Sequence, residues 1–186
     1  NDGSVSISGA TATYTPDSNW NGTDTFTYKA NDGTDDSNTS TITVTVTAVN
    51  DAPTVQTYSS STNEDTALTV SINQGDVDGD TATVSIVTQP SNGTMSDRIT
   101  GTNTDFTYTP NTNWNGTDTF TYKSNDGSLD SSVATGTITV SAVNDAPTTT
   151  DISTTINENR TARMVAITLQ GSDIEGDALT YSVVSD

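Results

Sequence analysis

The feature that most constrains this chain is an internal repeat. Asn19-Trp20-Asn21-Gly22-Thr23-Asp24-Thr25-Phe26-Thr27-Tyr28-Lys29 recurs letter for letter at 113–123, an offset of 94 residues. Ala48-Val49-Asn50-Asp51-Ala52-Pro53-Thr54 recurs at 142–148, and Asn63-Glu64 recurs as Asn157-Glu158, both again at 94. Asp76-Val77-Asp78-Gly79-Asp80 returns as Asp173-Ile174-Glu175-Gly176-Asp177 at 97, so a short insertion lies between. Self-similarity at one fixed spacing marks a tandem array, and a unit this long is a domain rather than a solenoid coil. The expected organisation is the C-terminal half of one repeat at 1–49, a complete repeat at 50–143, and the N-terminal half of the next at 144–186. Ends out of register with the repeat fit either a trimmed longer array or half-units completed by neighbouring chains.

Within the unit, apolar residues alternate with Thr, as half-buried strands require. Thr41-Ile42-Thr43-Val44-Thr45-Val46-Thr47 shows the pattern, and 137–140 repeats it. Further strands are expected at Thr13-Tyr14-Thr15, Phe26-Thr27-Tyr28, Leu68-Thr69-Val70-Ser71-Ile72, Thr83-Val84-Ser85-Ile86-Val87, Phe106-Thr107-Tyr108, Phe120-Thr121-Tyr122 and Leu179-Thr180-Tyr181-Ser182-Val183. Asn-Gly, Asp-Gly and Thr-Pro turns separate them. About seven strands in about 94 residues is the count of an immunoglobulin-like sandwich. Composition agrees: 41 Thr favour strands, while 4 Leu and 3 Glu leave little from which to build helices. The predicted fold class is therefore all-β, with tandem immunoglobulin-like β-sandwich repeats. Trp20 and Trp114, one per unit between turn signals, read as core anchors, with a carbohydrate-stacking platform as the sharper alternative.

Charge narrows the chemistry. The net charge is −19 with a pI near 4.1, and the chain holds no His and no Cys. That excludes Ser-His-Asp and Cys-His catalysis and the usual zinc sites. It argues against nucleic acid, whose phosphates need many Lys and Arg, and against anionic membrane surfaces. No apolar stretch is long enough for a membrane span, so membrane insertion is not expected.

The acids cluster at fixed places in the repeat: Asn50-Asp51 with Asn144-Asp145, Asp76-x-Asp78 with Asp173-x-Glu175, and Asn31-Asp32 with Asn125-Asp126. Glu64 and Glu158 add one carboxylate each near a unit start. Packed carboxylates need a cation or must surrender their charge. An oxygen-only donor set selects a hard cation, and a flexible Asp, Glu and Asn set suits Ca²⁺. The Asp-x-Asp-Gly-Asp run is not an EF-hand, since Gly79 is fourth rather than sixth and Val87 stands where the bidentate Glu belongs. The plainer reading is a set of Asp- and Asn-rich turns on a solvated surface.

These motifs together resemble a known family. Val-Asn-Asp-Ala-Pro after an alternating strand is similar to the cadherin linker, and Asp76-x-Asp78 and Asp173-x-Glu175 to the cadherin Asp-x-Asp. Ser124-x-Asp126-Gly127 and Asn63-Glu64 resemble two further cadherin calcium segments. The block from Tyr108 to Tyr122 resembles the cadherin-like, immunoglobulin-like repeats of giant bacterial surface adhesins. The resemblance implies Ca²⁺ at inter-domain junctions. The first junction would draw on Asn50, Asp51, Asp76, Asp78 and Asp126; the second would draw on Glu64, Asn144, Asp145, Asp173 and Glu175. Asn111-Thr-Asn113 replaces the cadherin Asp-x-Glu, and Ala48 or Ala142 replaces the linker's leading Asp, so one or two ions per junction are expected.

The function expected from this resemblance is that of a structural spacer in an extracellular bacterial adhesin, partnered by neighbouring repeats. A subunit of a self-assembling extracellular filament, in which copies of the chain are partners, and a glycan- or protein-binding adhesion module stay open beside it. A glycosidase would need a cleft rather than carboxylates repeated in turns, so an enzyme is not expected. Isopeptide cross-links from Lys29 or Lys123 are the remaining alternative, but alternation places both lysines on the face opposite Phe and Tyr.

Overall fold

The computed structural model describes residues 2–96, 104–156 and 164–184. These residues contain fifteen strands and no helix. Four lie in the first half-unit: β1 (Gly3–Ser8), β2 (Thr11–Pro16), β3 (Gly22–Tyr28) and β4 (Ser40–Val46). Nine build the central unit: β5 (Thr54–Val55), β6 (Tyr58–Asn63), β7 (Leu68–Ser71), β8 (Gln74–Gly75), β9 (Thr83–Thr88), β10 (Gly93–Met95), β11 (Asp105–Pro110), β12 (Gly116–Asn125) and β13 (Ala134–Ser141). The last segment holds β14 (Thr148–Thr149) and β15 (Gly171–Ser172).

The central unit is an all-β sandwich. One sheet runs β6-β13-β12-β9, the other β10-β11-β7, and the short β5 pairs with β8. All neighbours are antiparallel except β13 and β6, which run parallel. Joined through their short breaks, β5 with β6 and β7 with β8 make seven strands, the number expected from sequence. The interior is the apolar half of each alternation: Val70, Ile72, Val84, Met95, Phe106, Tyr108, Phe120, Tyr122, Ile138 and Val140 are buried together. The Thr residues between them stay on the outer faces, as a period of two demands.

The repeat allows one sequence to be compared in two settings. Tyr122 is 0 % exposed, whereas Tyr28, in the identical segment of the first half-unit, is 48 % exposed. In the central unit β12 is flanked by both β13 and β9. The corresponding β3 pairs with β4 alone among the described residues. Burial here is decided by neighbours rather than by the segment's own letters. The same reason accounts for a difference from expectation at 179–183. That segment, equivalent to β9, forms no strand, because no strand among the described residues pairs with it.

One packing contact breaks the repeat. Phe120 lies opposite Gly136 across β12 and β13, whereas Phe26 lies opposite Ile42. A Cβ on Gly136 would come within 2.2 Å of the Phe120 ring. The bare backbone lets Phe120 tilt between Tyr122 and Tyr58, at centroid distances of 5.5 and 6.3 Å. Phe26 instead stacks nearly parallel on Tyr14. Gly136→Ala is therefore expected to destabilise the central unit by about 1–3 kcal/mol, as overpacking does. Urea unfolding followed by aromatic circular dichroism measures this.

Candidate functional site

The acidic loops take their shape from local chemistry. In Asp76-Val77-Asp78-Gly79-Asp80, the Asp76 Oδ1 accepts the N–H of Asp78 at 2.9 Å and of Asp80 at 3.3 Å. Gly79 takes a positive φ of 81°, which glycine adopts without strain. The copy is faithful: Asp173 Oδ1 accepts the N–H of Glu175 at 3.1 Å and of Asp177 at 3.0 Å, and Gly176 sits at φ 80°. Both are Asx-type turns, in which a short carboxylate caps its own loop.

The 125–130 loop is built the same way. Asp126 Oδ1 accepts the N–H of Ser128 at 2.6 Å and of Leu129 at 2.7 Å. Asn125 accepts the Gly127 N–H and donates to Asp130, which is ion-paired with Lys123. Lys29 pairs with Asp36 in the identical way. Each lysine thus closes its own loop as an exposed ion pair, and such pairs contribute little to stability.

Tertiary structure then joins the loops to the linker. At the first junction, Asn50 Nδ2 donates to Asp126 Oδ2 at 2.9 Å, and the Asp51 N–H donates to Asp78 Oδ2 at 2.7 Å. The five expected residues Asn50, Asp51, Asp76, Asp78 and Asp126 therefore fall into two hydrogen-bonded groups tied together by consecutive linker residues. Asp76 Oδ2 is buried and has no hydrogen-bond partner. A cleft of about 380 Å³ is lined by Asp51 and Asp78 together with Asp17, Asn19 and Trp20 of the preceding half-unit.

The second junction has the same plan. The Asp145 N–H donates to Glu175 Oε2 at 3.3 Å, the counterpart of the Asp51–Asp78 bond. Glu64 is buried at 4 % exposure, and its Oε1 accepts the linker Val143 N–H at 2.5 Å. Asn144 turns back on its neighbour, donating to the Asp145 carbonyl at 2.9 Å. Asp173 lines a similar cleft with Asn113, Asp145 and Ile174. Glu158, the next copy of Glu64, lies outside the described residues. Among the described residues, no three acidic side chains stand close enough together to hold an ion by themselves. Any ion would need amide and main-chain oxygens beside the carboxylates.

Two functional residues were not singled out by sequence. Asp65 follows Glu64 and takes a positive φ of 55°; its Oδ1 accepts the Asn113 N–H at 3.0 Å. Asp118 is 3 % exposed. It accepts the N–H of Ser91 at 3.0 Å, of Asn92 at 2.9 Å and of Thr119 at 3.0 Å, together with the Tyr108 hydroxyl at 3.0 Å. Burial, and then the charge and hydrogen bond of Asp118, push the Tyr108 hydroxyl above the usual tyrosine range. The first half-unit keeps this pair: Tyr14 donates to Asp24 at 3.0 Å, and its hydroxyl is pushed up to about 12 by desolvation and by Asp24. The signal was present in the invariant Thr-Asp-Thr-Phe, where Asp interrupts the inward alternation. Trp114 packs against the core with its ring over Gly116, as an anchor would.

Asp118→Ala is expected to cost about 3 kcal/mol or more, since it strands several buried donors at once. Denaturant unfolding measures it. A second expectation concerns acid. The Leu129 N–H, then Asn50, then the Ser128 N–H hold the Asp126 carboxyl below its ordinary value of 3.8. A lowered folded pKa contributes stability that is complete above the unfolded value and is lost as pH falls through the folded one. The protection of the Ser128 and Leu129 amides, measured against their intrinsic exchange rates, should therefore hold at neutral pH and fall only below about pH 4, where carboxylates protonate.

Among curated protein sequences, none matches the chain significantly. Solved structures include two endo-fucoidan hydrolases from glycoside hydrolase family 107. One aligns at 17 % identity and TM-score 0.38 over 76 % of this chain and 22 % of its own length. The other aligns at 16 % identity and TM-score 0.36 over 74 % and 26 %. The chain thus spans about a quarter of these structures, at a likeness too low to carry an argument. Among the described residues, no helix is long and apolar enough to cross a membrane. Residues 1–45 match the bacterial Ig domain. Domains of these two kinds are generally non-enzymatic and typical of extracellular or surface adhesin repeats. With residues 50–142 matching the bacterial cadherin-like domain, the chain belongs to that family.

Proposed function

We propose that this chain is a spacer segment of an extracellular bacterial adhesin, in which Ca²⁺ at the junctions stiffens a rod of sandwiches. The observation that carries the reading is the buried, unpartnered Asp76 Oδ2 at the first junction. A buried carboxylate oxygen without a donor costs free energy unless a cation completes it. Asn50 holds Asp126 and Asp51 holds Asp78 at the adjoining linker, and Asp and Asn oxygens are the donors a hard cation prefers. At the second junction Glu64, Asn144, Asp145, Asp173 and Glu175 supply the equivalent set.

When bound, the ion supplies charge neutralisation and a common anchor for linker and loops. The chain's own residues supply the rest. Asp76 and Asp173 cap their loops, and Asp51 and Asp145 tie those loops to the linker. Glu64 holds the preceding strand pair to the linker at Val143. The short linker, Asn50-Asp51-Ala52-Pro53, has little slack, and Pro53 restricts Ala52 to extended backbone. The repeated units present similar surfaces, which suits spacing rather than varied recognition.

Calcium that binds only the folded junction stabilises it by RT ln(1 + [L]/Kd), about 2.7 kcal/mol at a hundredfold excess over Kd. EDTA is therefore expected to lower the melting temperature of the chain by several degrees and to increase bending in small-angle scattering. In Asp76→Asn the calcium-induced rise should shrink while the capped turn persists, since Oδ1 keeps its role. Calorimetry and scattering that are unchanged between EDTA and millimolar calcium would overturn the reading.

A further inference from the structure

We infer that Asn113 is a metal-free clasp that fastens the linker after the central unit by bridging two carboxylates with one side-chain amide. Its side chain lies between Asp65 and Asp145. Oriented with its oxygen toward them, it would set acceptor against acceptor; oriented with its nitrogen toward them, Nδ2 donates to Asp65 Oδ2 at 2.9 Å and to Asp145 Oδ2 at 3.2 Å. The second orientation satisfies all three groups. The Asn113 main-chain N–H also donates to Asp65 Oδ1 at 3.0 Å, so Asp65 is gripped through both its oxygens by one residue.

The backbone fits the task. Asn113 has φ 54° and Asp65 φ 55°, in the left-handed region that Asn and Asp tolerate better than most residues. The bonds then run on across the junction. Asp145 accepts from Asn113 through its side chain and donates through its N–H to Glu175. A relay Asp65–Asn113–Asp145–Glu175 thus links the central sandwich to the loop beyond the linker.

The chemistry explains why an amide stands here. Two carboxylates facing each other repel, and either a cation or a donor with two protons can bring them together. Asn113 provides the two protons. A third carboxylate at this place would raise the demand for a cation instead, so Asn113 keeps part of the junction ordered when no ion is bound. The preceding repeat carries Asn19 at the same position, with φ 59°, beside Asp51 in the first cleft.

The test is amide hydrogen exchange by NMR on the full chain in EDTA, where the result stands whether or not calcium binds. Asn113→Gly keeps the left-handed backbone and the main-chain N–H while removing the amide. It is expected to speed exchange at Asp145 by about tenfold or more, the worth of a hydrogen bond to a charged group, and to leave the core amide of Ile138 unchanged. Asn113→Asp should speed exchange at Asp145 at least as much, because it replaces a donor with a third negative charge. Unchanged protection at Asp145 in both variants would overturn the clasp, as would an Asn113→Gly effect that reached Ile138 equally.

Discussion

The inward face of β12 presents Asp118, Phe120, Tyr122 and Ser124 in order, and most of the central unit hangs on that alternation. Phe120 and Tyr122 are the middle of the core. Asp118 gathers three main-chain N–H groups and the Tyr108 hydroxyl at one end, fixing the turn before β10 against β11. Ser124 bonds to Gln74 and to Ser131 at the other end, and the strand then runs straight into the Asp126 loop. A chain with 30 % hydrophobic residues cannot rely on bulk burial. It places a few large rings where two sheets meet and closes both ends of the sandwich with polar groups that are fully partnered.

From that frame the charge distribution becomes intelligible. Carboxylates in the body of the sandwich are supplied with donors by their own neighbours, as with Asp118, or by a nearby lysine, as with Asp130. Those at the linkers are supplied only in part. Asp76 keeps one oxygen partnered and one buried without a partner. Asp65 and Asp145 share a single amide. Among the described residues, the first junction is therefore where a buried carboxylate oxygen is left without a donor from the protein itself.

Much of this was legible along the chain. The 94-residue repeat and the Thr-apolar alternation were enough for an all-β, immunoglobulin-like class, because period and turn chemistry are local. The Asp-x-Asp-Gly-Asp and Asn-Asp-Gly loops were legible for the same reason: an Asp two residues before an N–H closes the turn wherever it occurs. Asp118 was missed because a carboxylate inside an alternating strand looks like an exposed one until its donors are found. Those donors sit 26 and 27 residues away in sequence. Asp65 was missed for a similar reason: its partner Asn113, read along the chain only as a replacement within the cadherin Asp-x-Glu, lies 48 residues away.

The sequence by itself determined the repeat, the strand class, the loop chemistry and the acidic character of the junctions, since each depends on residues close together in the chain. Tertiary structure decided which carboxylates share donors and which oxygen is left without one. It also decided that Tyr122 is buried while an identical Tyr28 is half exposed. The physical reason is common to all three. Burial and electrostatic pairing are properties of neighbours in space, and a sandwich sets those neighbours by strand order, which among the described residues pairs β12 with β9 and β13 but leaves β3 only β4.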